Sequence, residues 1–294
     1  MPFSQDEYGA CDQLAQIALM EDLGKECNDD ADLTSVALIP EDAWGKAVFV
    51  SRADGVVAGL PAASLVFALL DPKVSFQELL ADGSPVRAGT QLAIVEGPMR
   101  MILLGERTAL NFMQRLSGIA SLTAEHVRLL AGLPCKLLDT RKTTPGWRLL
   151  EKYAVRQGGG HNHRMGLCDG VLIKDNHLAA LGRTPDVVAR AVALARAKHG
   201  QKILLEIEVD TLEQLDVALV AAPDIVLLDN MPPSVLREAV ARRDAVARNV
   251  LLEASGGITL ASRRAIAETG VDRISLGALT HSAKALDIGL DYLF

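Results

Sequence analysis

At 294 residues, 49% hydrophobic, 23% charged and only 4% aromatic, the chain has globular composition and length enough for one large domain or two smaller ones. A net charge of −7 argues against a nucleic-acid partner, which favours a basic footprint. No run approaches the ~18 uninterrupted apolar residues of a membrane span, so no membrane partner is expected.

The acidic start MPFSQDEYGACDQ lacks the basic and apolar runs of an export signal. The four cysteines (Cys11, Cys27, Cys135, Cys168) have no C-x-x-C spacing and read as reduced thiols of a cytoplasmic protein. SQDEYGACDQLAQIALMEDLG then carries apolar residues at helical spacing. AVFVSRADGVVAG reads as strand-turn-strand, LPAASLVFALLD as a short helix, and VSFQELLADGSPV and TQLAIVEG as further strands. A long helical pattern follows from Met99 to Gly132, with a hinge expected near Ser117-Gly118.

Beyond Pro134 the pattern becomes rhythmic. Short apolar strands (CKLLDT, GVLIKDN, ILLEIEVD, DIVLLDN, NVLLEASGG, RISLGAL) alternate mostly with amphipathic helices (PDVVARAVALARAKHG, TLEQLDVALVAA, PSVLREAVARR, TLASRRAIAETG). Such a β-α repeat implies a parallel sheet with helical crossovers. Asp139, Lys174, Glu206, Glu208, Asp229, Glu253, Ser255 and Gly277 are all expected at or just past strand ends. In a β/α barrel those ends converge on one mouth, where the chemistry sits. Six strands in one direction could make an open doubly wound sheet or a barrel; no G-x-G-x-x-G follows the first strand, and the polar strand ends favour the barrel, complete or incomplete.

From Arg141 to Lys174 there are seven basic residues against two acids, within an acidic protein. Arg148, Lys152 and Arg156 fall at i, i+4, i+8 and are expected to form one solvated helix face. Arg141, Lys142, Arg164 and Lys174 sit at strand ends or in the Gly-rich segment between, where they would converge on a multiply anionic ligand. His161 and His163 would point the same way if extended, as metal ligands do. A zinc-type site needs a third protein ligand, however, and the neighbouring cations Arg164 and Lys174 would repel the ion. HNHRMGLCDGVLIKDNH thus reads as an anion site, with His163 a hydrogen-bond donor and His161 a bystander. Glu208 and Asp229 suit sugar hydroxyls or Mg²⁺. EASGGI and SLGALTHS are Gly-bearing loops placed to bind phosphate.

The motifs ERTALNFMQRLSGIAS, DTRKTTPGWR, EKYAVRQGGGHNHRMGLCDGVLIKDNH, EIEVD, LLDNM, EASGGI and GVDRISLGALTHSAKALDIGL run in order over about residues 20 to 292. Together they resemble the quinolinate phosphoribosyltransferase family. Trp147 departs from the smaller aliphatic residue frequent there, and His161 stands where the family varies. The resemblance implies an N-terminal α/β sandwich over 1–116, an incomplete β/α barrel over 117–279 and a tail, 280–294, that returns to the first domain. It implies a pentosyltransfer reaction in NAD biosynthesis, in which quinolinate and phosphoribosyl pyrophosphate give nicotinate mononucleotide, pyrophosphate and CO₂ with Mg²⁺. It also implies a homodimer with shared sites.

By that resemblance, Arg141, His163, Arg164 and Lys174, with Thr140 beside them, hold the two carboxylates, and Arg107 reaches across the dimer. Lys142 serves the pyrophosphate, while Glu208 and Asp229 lie near the ribose and its metal. Ser255, Gly256, Gly257, Gly277, Ala278 and Leu279 surround the 5′-phosphate. Lys142, Glu208 and Asp229 are the catalytic group. The alternatives are a ModD-like paralogue with another substrate, a non-catalytic anion-binding barrel and, more distantly, a metal-dependent hydrolase using His161 and His163.

Overall fold

The structure, a computed structural model, describes residues 3–24, 31–182 and 184–293. Cys27 lies outside them. The first part of the chain forms α1 (Gln5–Leu23), α2 (Leu33–Leu38), β1 (Trp44–Ser51), β2 (Gly55–Val56), α3 (Leu60–Leu70), β3 (Ser75–Glu78), β4 (Pro85–Val86), β5 (Gln91–Pro98) and α4 (Met99–Arg128). Then come β6 (Lys136–Leu138), α5 (Arg148–Gln157), β7 (Val171–Ile173), α6 (Asp175–Leu181), α7 (Val187–His199), β8 (Leu205–Val209), α8 (Leu212–Ala221) and β9 (Ile225–Asp229). The chain finishes with α9 (Pro233–Val246), β10 (Leu251–Ser255), α10 (Arg263–Ala267), β11 (Arg273–Ser275), α11 (Ala278–His281) and β12 (Ile288–Tyr292). None of the described helices is long and apolar enough to cross a membrane.

Two compact units result: Met1–Glu125 with Lys142–Gly159 and Ala278–Phe294, and His126–Arg141 with Gly160–Gly277. The first is built on an antiparallel sheet of order β12-β1-β5-β3, with a separate β2-β4 ribbon. Phe49 of β1, Phe67 of α3 and Phe76 of β3 cluster on this sheet, their ring centroids 5.7 to 6.2 Å apart. Fully burying each such ring is worth about 1.5–3 kcal/mol. At the start of α1, Ser4 Oγ accepts from Glu7 N and Ser4 N donates to Glu7 Oε2, a reciprocal cap that satisfies two of the helix's free N–H groups.

Helix α4 corrects one expectation: it runs unbroken through Ser117-Gly118. Ser117 Oγ instead accepts from Ala58 N and donates to Ala58 O (2.9 and 3.0 Å). Gly118 lets the chain at Lys284 approach so closely that a Cβ there would stand 2.0 Å from the Lys284 carbonyl oxygen. The glycine is thus a point of close packing, not a hinge.

Helix α5 corrects another. Lys152 is fully buried, and Arg148 and Arg156 are half-buried, so the three do not form a solvated face. Leu150, Glu151, Tyr153, Ala154 and Val155 are buried as well, which leaves this helix no open side. Arg156 pairs with Glu7 of α1 and lies over the Tyr153 ring, and Tyr153 Oη donates to Asp82 Oδ2 at 2.7 Å.

The second unit is a six-stranded parallel sheet of order β6-β11-β10-β9-β8-β7. Each of β7 to β11 neighbours the next, but β6 pairs with β11, so the sheet curls without closing and leaves β6 and β7 as its edges. The six strands are those the apolar rhythm predicts. The expected helix over TLASRRAIAETG shrinks to the five residues of α10, since Thr259 and Ser262 bond each other in a turn instead.

Candidate active site

In a parallel sheet, residues in register share a face. Pairing of Glu206 with Ile225, Glu208 with Leu227, Leu227 with Glu253 and Glu253 with Arg273 places Glu206, Glu208, Glu253 and Arg273 on one face, the inner face of the curl. Glu206 and Glu253 lie inside their strands, not at the ends as expected, and are 1% and 0% exposed. The strand ends proper carry Glu208, Asp210, Asp229 and Ser255.

One cluster occupies the interior. His163 Nε2 lies 3.0 Å from Glu206 Oε2 and 3.5 Å from Glu253 Oε1, and Arg273 Nε lies 2.8 Å from Glu253 Oε2. The Arg164 N–H donates to His163 Nδ1 at 2.8 Å, which places a ring proton on Nε2, where the two carboxylates accept it. Burial opposes a charge on the ring most strongly, yet the hydrogen bonds and charges of Glu206 and Glu253 outweigh it and push the pKa of His163 up to about 9. Burial likewise pushes the Glu206 carboxyl up, against the pull of His163. Glu253 is held below the usual carboxylate range, because His163, Arg273 and Ser275 together outweigh its burial.

Buried Asp139 braces this region from the end of β6. Its Oδ1 accepts from His163 N at 2.9 Å and its Oδ2 from Asn162 Nδ2 at 2.6 Å. The expected donation from His163 to an anion meets a ring whose two nitrogens already face protein groups. His161 is exposed and belongs to neither carboxylate cluster among the described residues. It lines a separate cavity of about 360 Å³ with Lys136, Asp272 and Arg273.

Beside the interior cluster stand Arg141 and Arg164. Burial and the charge of Arg141 lower the basicity of Arg164, while Glu206 partly restores it. Arg164 Nη1 is tied to Gly170 O at 2.9 Å, and Arg141 Nε is buried without an acceptor among the described residues. Lys174 Nζ reaches Glu208 Oε2 at 3.1 Å. Glu208, Asp210 and Asp229 each bring one carboxylate oxygen within 4.8 Å of the others. Burial, Asp229 and Asp175 raise the pKa of Asp210, a residue the sequence reading passed over. The alternation E-I-E-V-D was the available signal, since period two puts Glu206, Glu208 and Asp210 on one face.

Next to these acids, Asn230 adopts φ 53° and donates its backbone N–H to Ser255 O at 2.9 Å. Gly256 has φ 83°, and a Cβ there would fall 2.4 Å from Asn230 Oδ1 and 2.8 Å from Asp229 Oδ1. Glycine at 256 is therefore required twice over. Gly257, also at positive φ, follows it, and Gly277 ends the second unit just after β11.

The remaining expected residues divide between the units. Thr140 joins Arg141 in the second. Lys142 opens a loop of the first, where Thr280 Oγ1 donates to its carbonyl at 2.7 Å. That loop is fixed by Glu151, which accepts from Thr144 N and Oγ1 and pairs with Arg115 at 2.6 Å, and by Trp147 stacked on Phe112 at 4.9 Å. Ala278 and fully buried Leu279 begin α11. Arg107 is exposed on α4 and forms no ion pair among the described residues. Its neighbour Glu106 accepts instead from Tyr292 Oη at 2.7 Å.

Residues 32–117 match the description "Quinolinate phosphoribosyl transferase, N-terminal domain", and residues 119–291 match its C-terminal domain. The chain belongs to the quinolinate phosphoribosyltransferase family. It is 45% identical over 272 residues to a protein of Bacillus subtilis named probable nicotinate-nucleotide pyrophosphorylase (carboxylating), covering 92% of this chain and 90% of the relative. It is 44% identical over 292 residues to the Mycobacterium leprae protein of the same activity name, covering 98% and 99%. The solved nicotinate-nucleotide pyrophosphorylase of Francisella tularensis superposes with a TM-score of 0.87 at 39% identity, covering 97% of each chain. An N-terminal antiparallel-sheet unit followed by an open parallel sheet with helices is thus the family's architecture as well as this chain's.

Proposed function

We propose that the chain transfers the phosphoribosyl group of phosphoribosyl pyrophosphate to quinolinate with decarboxylation, giving nicotinate mononucleotide, pyrophosphate and CO₂. The observation that carries this reading is the pair Arg141 and Arg164, like charges close enough to repel, with a buried guanidinium nitrogen of Arg141 that has no acceptor among the described residues. A bound anion would relieve that repulsion, and two adjacent carboxylates match two guanidinium forks. Lys174 and Thr140 complete this side, with His163 bonded to the backbone of Arg164. Backbone N–H groups of Ser255, Gly256, Gly257, Gly277, Ala278 and Leu279 are assigned to the 5′-phosphate.

The ring nitrogen of quinolinate attacks ribose C1, forming the N–C bond as the C1–O bond to pyrophosphate breaks. The pyridinium so formed stabilises the carbanion left when the 2-carboxylate departs as CO₂, and a proton then takes its place. Positioning two mutually repelling anions supplies most of the acceleration. Glu208 and Asp229 are assigned to the positive charge that develops on the ribose, and Lys142 to the departing pyrophosphate. Glu208, Asp210 and Asp229 are hard oxygen donors that suit Mg²⁺ shared with the diphosphate, and the bound ion would neutralise leaving-group charge.

We also infer a homodimer in which Arg107 of one subunit enters the site of the other, supported by its exposure on α4 without an ion pair. The three described cysteines, all unpaired, fit a cytoplasmic enzyme. The test is release of labelled CO₂ from carboxyl-labelled quinolinate. It should require both phosphoribosyl pyrophosphate and Mg²⁺, with nicotinate mononucleotide formed in equal amount. No release from purified protein with both present would reject the reading.

A further inference from the structure

The inner layer of a barrel is ordinarily filled by branched apolar side chains. Here it holds Glu206, Glu253, Arg273 and His163. Buried ion clusters are seldom better for stability than apolar residues of equal volume, so stability does not account for this one. Its geometry has a direction. Arg273 contacts Glu253, Glu253 and Glu206 contact the two sides of His163 Nε2, and His163 Nδ1 meets the backbone N–H of Arg164. Asp139 holds the backbone of His163 from the other side, and Gly170 O holds the far end of Arg164. The chain of contacts therefore ends on the backbone of Arg164, the residue whose guanidinium carries the repulsion from Arg141.

We propose that Glu253 and Arg273 are positioning residues for the dicarboxylate substrate. From within the barrel they fix His163, and through it they set Arg164 against Arg141. This inference rests on the proposed function above. Neither residue need touch quinolinate, and neither belongs to the Glu208, Asp210 and Asp229 cluster. Their loss should therefore weaken pyridine binding and leave ribosyl chemistry intact.

The variants are Glu253→Gln, which keeps the shape and removes the charge, and Arg273→Met, with Arg273→Lys as the conservative rescue. Steady-state kinetics of the full-length enzyme would be read together with melting temperature. Glu253→Gln and Arg273→Met should raise KM for quinolinate about tenfold or more, the scale expected when a remote change misplaces a binding group. By the same argument kcat and KM for phosphoribosyl pyrophosphate should stay within about threefold, and Arg273→Lys should recover most of the loss. A fall in melting temperature with unchanged KM for quinolinate, or equal losses in kcat and both KM values, would overturn the proposal.

Wild-type protein supplies a check that does not depend on the variants folding. The ¹⁵N signals of the His163 ring should shift when quinolinate binds, and an unmoved ring at saturation would also overturn it. Failure of the wild type to release CO₂ rejects the proposed function. An active wild type with an indifferent Glu253→Gln rejects this inference alone.

Discussion

Arg141 and Arg164 concentrate the binding energy of the proposed dianion site. Removing one partner of a buried charge pair costs about 2–5 kcal/mol, roughly 30-fold to several thousand-fold in affinity. Arg141→Ala and Arg164→Ala should each lose quinolinate binding on that scale by calorimetric titration; affinities within threefold of wild type would remove both from the site. Glu208→Gln and Asp229→Asn should instead lower kcat more than they weaken quinolinate binding, because their work is on the ribosyl transition state. Pre-steady-state turnover beside a binding titration separates the two effects, and the opposite pattern would reassign both carboxylates. The cations were legible because charge at a strand end in an acidic protein is unusual. Glu253 was not legible as a network member. Its partner Arg273 is brought opposite by strand register, and nothing in LLEAS reveals register with a segment twenty residues on.

Among the elements, the strands of the second unit follow directly from their apolar runs, while α4 and α5 show where periodicity stops informing. An i, i+4, i+8 pattern says that Arg148, Lys152 and Arg156 share a face, but not what covers it. Asp82 and Glu7 reach α5 from distant parts of the chain, meeting Tyr153 and Arg156 and covering that helix. Similarly, Gly118 looked like a weak point in a helix, because glycine costs helical stability locally. The real constraint is the Lys284 carbonyl, more than 160 residues away in sequence. Gly118→Ala should therefore not stabilise α4 as propensity predicts. It should lose about 3 kcal/mol or more in urea unfolding, the scale of a core overpacking that backbone must relieve. A neutral or stabilising result would mean that the segment at 284 yields easily.

At the scale of the whole molecule, the proposed sharing of Arg107 makes a prediction no monomeric site would meet. An Arg107→Ala subunit and an Arg164→Ala subunit, each inactive alone, should complement when mixed, because a two-fold heterodimer places both defects in one site and neither in the other. Random exchange gives heterodimers in about half the dimers, so recovery should approach about one quarter of wild-type activity. No recovery despite exchange confirmed by native mass spectrometry would confine Arg107 to its own chain.

The pairing order of the two sheets also bears on how the chain is made. Strand β1 acquires its neighbour β12 only when residues 288–292 exist, and β6 acquires β11 only when residues 273–275 exist. At ribosomal speeds of ~5–20 residues per second, the edge of β6 waits ~10–30 s for its partner. Through that interval the nascent chain presents one edge of WGKAVFVS and one edge of KLL without the strand that finally covers it, open apolar edges of the kind that recruit one another. Synthesis is thus the period of greatest exposure for this protein, and holding chaperones at the exit tunnel should govern its yield more than the equilibrium stability of the finished fold does.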